Sequence, residues 1–168
     1  MLPSQNELFF TSVAVMVEGQ EDLAYVSTHF GISGQLSEFR KLGCHFIVAG
    51  CKRNLSRLIA IALEFGIPFF VLFDADGNET NADERRKHEK DNSCILNLCR
   101  LKDIEPFPKE VFWGENIAIW PTNIKDAVQA DFGDSIFVAA ENAVRNKYNL
   151  LAGVRDKNKM LIAYVLDY

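Results

Sequence analysis

Residues 69–77 read FFVLFDADG. Five large apolar residues run directly into two aspartates and a glycine. The apolar run predicts a buried strand, and alternate residues of a strand share a side. Extended geometry carried to the tip would therefore aim Asp74 and Asp76 the same way. Two carboxylates held that close repel, and each raises the other's proton affinity. A divalent metal ion is the simplest offset.

The same grammar repeats on both sides of this stretch. VAVMVEG (13–19) and CHFIVAG (44–50) predict two more buried strands, and IAIWP (117–121) a short fourth. Between them EDLAYVSTHFG (21–31) predicts a helix stopped by Gly31, and NLSRLIAIALEFG (54–66) one capped by Asn54 and stopped by Gly66. Residues 82–102 predict a further helix, and IEPFPKEVFWGEN a loop. Helical stretches follow at 123–131, 135–147 and 157–168. Strands alternating with helices imply an α/β fold with a mostly parallel, four-stranded sheet covered on both faces. A single domain is expected, with a core over about 12–125 and a helical part over about 126–168.

Composition narrows the class. The 168 residues are 48% hydrophobic and 24% charged, ordinary for a globular chain. No apolar run approaches the ~20 residues of a membrane span, and MLPSQNELFF lacks the pattern of a signal peptide; the expected compartment is the cytoplasm. Net charge −5 argues against holding nucleic acid by bulk charge alone. It does not exclude an enzyme that reaches phosphodiesters through bound cations. The four cysteines form no CxxC pair and are expected reduced and mostly buried. DERRKHEKD (83–91) reads as a solvated helix face. His29, His45 and His88 have no ligand spacing. Trp113 and Trp120 are expected to pack.

In open parallel sheets ligands gather beyond the carboxyl ends of the strands. Two acidic groups belong at that edge. One is Asp74 with Asp76; the other is Glu18, after the first strand, with Asp22 one helical turn later. Four oxygen donors without cysteine favour a hard cation such as Mg²⁺ or Mn²⁺, the chemistry of cutting or forming phosphodiesters. Lys52 and Arg53, after the second strand, stand at the same edge as candidate phosphate contacts. Glu21, Glu79 and Asp83 more simply face water. Two rival readings remain open: a haloacid-dehalogenase-type phosphatase with Asp74 as nucleophile, and a non-catalytic regulatory or binding module.

The pieces in this order resemble a TOPRIM domain. ELFFTSVAVMVEGQED (7–22), the GC at 43–44 and FGIPFFVLFDADG (65–77) are similar to the nuclease half of the overcoming-lysogenisation-defect (OLD) family. Glu7, Phe9, Phe10, Val17, Glu18 and Gly19 match that family's opening, and the match covers residues 7–77. The resemblance implies a Rossmann-like TOPRIM fold and metal-dependent DNA nicking or cleavage with two ions. Glu18 and Asp22 would serve one ion, and Asp74 and Asp76 would bridge or serve the second. The family places a further glutamate after the fourth strand, where PTNIKDAV (121–128) has Lys125, with Asp126 beside it as a substitute. A lysine near the C-terminus, Lys157 or Lys159, would stabilise transition-state charge. The family also implies an ATPase domain or subunit as partner, since no GxxxxGK[ST] motif occurs in this sequence.

Overall fold

The apolar runs become strands in the order that the pattern predicts. In the computed structural model, which describes residues 3–149 and 159–167, they are β1 (Val13–Val17), β2 (Cys44–Val48), β3 (Phe69–Asp74) and β5 (Ile117–Trp120), all mutually parallel. A two-residue strand, β4 (Phe112–Trp113), pairs antiparallel with β5, so the sheet has five strands in the order β2-β1-β3-β5-β4. The expected count was four. Two residues inside a loop rich in turn formers carry no alternation to read.

Helices cover both faces. On one side α3 (Lys52–Phe65) and α4 (Ala82–Leu98) lay Leu55, Leu58, Ile59, Ile95 and Leu96 over Met16, Ile47, Val71 and Phe73. On the other, α1 (Gln20–Ile32), α5 (Ile124–Phe132) and α7 (Lys159–Leu166) bring Ala24, Tyr25, Ile124 and Ile162 against Val17, Leu72, Ala118 and Trp120. Here α6 (Asp134–Lys147) packs on α7 through Phe137, Val144, Leu161 and Val165. Alternation within one strand makes the two layers: Val71 and Phe73 face the first, Leu72 the second. At roughly 1.5–3 kcal/mol for each fully buried large side chain, this double burial is the main source of stability.

Local signals fare unevenly. Gly66 ends α3 in the left-handed conformation (φ 65°), where its N–H reaches carbonyls of the last turn. Asn54 does not cap α3. The helix starts earlier, with Cys51 at the N-cap, and the Asn54 amide donates to the Ala49 carbonyl at 3.1 Å. Gly31 lies inside α1, which continues to Ile32. A six-residue helix, α2 (Leu36–Lys41), was not expected; it is too short for a helical period and is held by Phe39, stacked on Phe46 with centroids 4.5 Å apart. The cysteines are all free, but Cys51 and Cys94 are exposed and only Cys99 is buried. Trp113 is 65% exposed and meets the buried Trp120 edge to face at 6.2 Å. Among the described residues no helix is long and apolar enough to cross a membrane.

β1 lies between β2 and β3, so the chain leaves β1 to one side and returns on the other. That reversal opens a crevice at the carboxyl ends of β1 and β3, where Glu18 and Asp74 lie.

Candidate metal centre

β1 stops at Val17, but its pairing runs on: the Ala49 and Gly50 N–H groups donate to the carbonyls of Val17 (2.9 Å) and Glu18 (2.7 Å). This fixes the backbone of Glu18 at the sheet's edge. Gly19 then turns the chain into α1. Asp22, one turn in and 4% exposed, accepts the Gly19 N–H at 2.7 Å. Asp22 therefore helps start α1 and also puts a carboxylate into the crevice. Asp74, the last residue of β3, accepts the N–H of Ile124 at 3.0 Å from the start of α5.

Asp74 is pushed up to about 8 from an ordinary carboxylate value of 3.8. Burial is the largest cause, followed by the negative charges of Asp22, Glu18 and Asp76; the Ile124 N–H opposes them. Glu18, Asp22 and Asp76 thus each act electrostatically on Asp74.

Asp76 does not share that environment. It takes a left-handed backbone (φ 55°) that ends the extended geometry, so the expectation that both aspartates aim the same way is corrected. The cause is the zipping of this loop onto the chain after β5. Ala75, Asp76 and Gly77 donate to the carbonyls of Trp120 (2.8 Å), Thr122 (3.2 Å) and Pro121 (2.8 Å). A Cβ on Gly77 would come within 2.7 Å of the Pro121 oxygen, so only glycine permits this approach. Asp76 is ion-paired through Oδ2 with Lys52, which is 4% exposed at the start of α3. His88 Nδ1 of α4 lies 3.1 Å from the same oxygen and 3.3 Å from the ammonium. Asp74 thus meets α1 and α5, and Asp76 meets α3 and α4.

Two further side chains fix the loop. Arg85 donates to the Gly77 carbonyl at 2.7 Å and lies over the Phe107 ring. Asn92, fully buried, donates to the carbonyls of Ala75 and Pro106, both at 2.9 Å. His88, Arg85 and Asn92 were not singled out from the sequence. The available signal was that α4 starts immediately after the aspartate loop and so returns along the same edge, but the mixed-charge run hid it.

The remaining predicted residues scatter. Arg53 is exposed beside Lys52. Asp126 is exposed and accepts from Thr122 (2.7 Å) and Asn123 (2.8 Å), so it secures the start of α5. Lys125 is half-buried and lines a small cleft with Tyr25 and Glu141. Glu79 accepts the Asn81 N–H at 2.7 Å, and Asp83 is exposed. Lys157 lies outside the described residues, as does the side chain of Lys159, whose backbone opens α7.

The donors at the crevice are hard carboxylate oxygens gathered around a buried aspartate, a donor set that fits Mg²⁺ or Mn²⁺. As the side chains stand, no three carboxylate, imidazole or thiol groups among the described residues are arranged to ligate one ion.

A mostly parallel sheet with a glutamate after its first strand and aspartates after its third defines a TOPRIM-type α/β fold. More narrowly, residues 9–76 match the family model for the TOPRIM domain of overcoming lysogenization defect protein-like proteins. Among solved structures, the C-terminal region of the Xanthomonas campestris pv. campestris OLD protein is similar, with a TM-score of 0.55 and 14% identity. The alignment covers 96% of this chain and 79% of that one. No curated protein matches the chain. The resemblance to the OLD-type TOPRIM region, read from residues 7–77, is borne out by the family match and by the fold.

Proposed function

We propose that this chain is a metal-dependent endonuclease module that nicks or cleaves DNA phosphodiesters and works with an ATPase domain or subunit. The observation that carries the reading is the acidic crevice. Asp74 keeps its proton to about pH 8 because burial and three other carboxylates surround it. That arrangement is costly for a folded protein unless a cation is meant to enter. The OLD-like match over residues 9–76 supports a nuclease rather than another use of the fold.

Glu18, Asp22 and Asp74 would hold the ion. Bound there, a divalent cation supplies Lewis acidity toward a phosphoryl oxygen and lowers the pKa of a water. The chain's own residues do the rest. The Ile124 N–H orients Asp74, the Gly19 N–H orients Asp22, and the exposed Arg53 is available to a backbone phosphate. A C-terminal lysine, Lys157 or Lys159, would neutralise developing charge. The phosphatase reading has less support, because two strand–helix units precede Asp74 and the OLD-type match runs through it.

The test is supercoiled plasmid incubated with the chain in Mg²⁺, Mn²⁺ or EDTA, alone and with an added OLD-type ATPase, beside Glu18→Ala and Asp74→Ala. Metal-dependent nicking or linearisation lost in both variants is expected. Cutting that survives either substitution or EDTA would refute the mechanism.

A further inference from the structure

Lys52 is in an unusual position. It is a lysine in the first turn of a helix, where the backbone dipole disfavours a cation, and it is 4% exposed. A buried ammonium needs a partner, and Asp76 is that partner, with His88 beside both. The lysine's stem is enclosed and its ammonium lies 5.9 Å from the centroid of the Phe73 ring, inside the α3–α4 layer. It is therefore not a side chain reaching for substrate. The other acid that a second ion could use, Asp126, is committed to Thr122 and Asn123.

We propose that Lys52 is the second cation of this site. The edge takes one divalent ion, on the side of Asp74, Glu18 and Asp22. On the Asp76 side the protein supplies the positive charge itself. The one oxygen of Asp76 that faces α3 and α4 is already shared between an ammonium and an imidazole. A second ion there would have to displace a buried lysine or sit against its like charge. Lys52 is a positioning residue: it sets the orientation of Asp76, and through it the loop that carries Asp74. This inference rests on the metal-dependent reading and departs from the two ions that the family resemblance implies.

The experiment is calorimetric titration of Mn²⁺ into the full chain, with folding of each variant checked by circular dichroism. The wild type is expected to bind one ion, Asp76→Asn still one, and Lys52→Met two. Two ions in the wild type, falling to one in Asp76→Asn, would overturn the inference and leave the metal-dependent reading standing. A single ion in folded Lys52→Met would overturn it as well. No binding by the wild type would remove both. If Lys52→Met does not fold, the counts for wild type and Asp76→Asn decide the matter, because the asparagine keeps an oxygen for the ammonium.

Discussion

The two aspartates of one short loop live in opposite electrostatic worlds. Asp74 faces α1 and α5, where its charged neighbours are carboxylates, and holds a proton to about pH 8. Asp76, two residues on, faces α3 and α4, where an ammonium and an imidazole meet it. The sheet itself separates them, since helices on its two faces bring different charges to the same edge. One half gathers carboxylates around a buried aspartate. The other is already neutralised from within. Spacing along the chain alone would give the two residues the same role.

The largest effects that can break this contrast attach to Asp74. Its proton affinity is raised on folding, so its neutral form stabilises the fold below about pH 4 and that contribution is lost as pH rises through about 8. Unfolding of the metal-free chain, followed by denaturant, is expected to show stability falling across that window. Asp74→Asn should flatten the fall by an amount on the order of a few kcal/mol, and added Mn²⁺ should offset it most at the upper end. An unchanged slope in Asp74→Asn would mean that Asp74 titrates normally. The same variant should cut plasmid more than about 100-fold more slowly, since even indirect partners of metal ligands cost ~10–100-fold.

On the other half, Lys52→Met should destabilise the chain by about 2 kcal/mol. This is less than the ~3–5 kcal/mol of a fully buried broken pair, because Asp76 is 34% exposed. A neutral result in thermal melts would show that the pair contributes nothing. Gly77→Ala tests the hinge between the halves: the new Cβ meets the Pro121 oxygen, and a loss of roughly 1–2 kcal/mol is expected from overpacking, with weaker Mn²⁺ binding. Retained affinity at wild-type stability would show that the loop tolerates a shift. The smallest effect is expected at Asp126→Ala, about 0.5 kcal/mol from a helix start, with cutting within about twofold of wild type. A large loss of cutting there would restore Asp126 to the site.

The acidic half was legible in the sequence because its causes are local. Continuous apolar runs mark β1 and β3, a glutamate–glycine step marks the end of one, and an aspartate marks the end of the other. Parallel pairing of β1 with β3 then brings Glu18 near Asp74 without further information. The other half depends on facts that no window of sequence contains. Asp76 turns because its backbone is caught by residues more than forty positions later, Pro121 and Thr122. Its partners come from two different helices, with Lys52 and His88 themselves 36 positions apart. A lone histidine in a mixed-charge helix and a lysine after a strand both look solvated until the helices are docked. α2 and β4 were missed for a simpler reason, since neither is long enough to express a period.

The tryptophan pair gives this site an optical readout. The chain has only two tryptophans, and Trp120 is the cross-strand partner of Asp74, its carbonyl tied to the Ala75 N–H. Trp113 is mostly in water and belongs to the outer, two-residue strand. Replacing it with phenylalanine should cost little and leave a single emitter beside the loop. The fluorescence of Trp113→Phe would then report, without any attached dye, whether a cation enters the crevice.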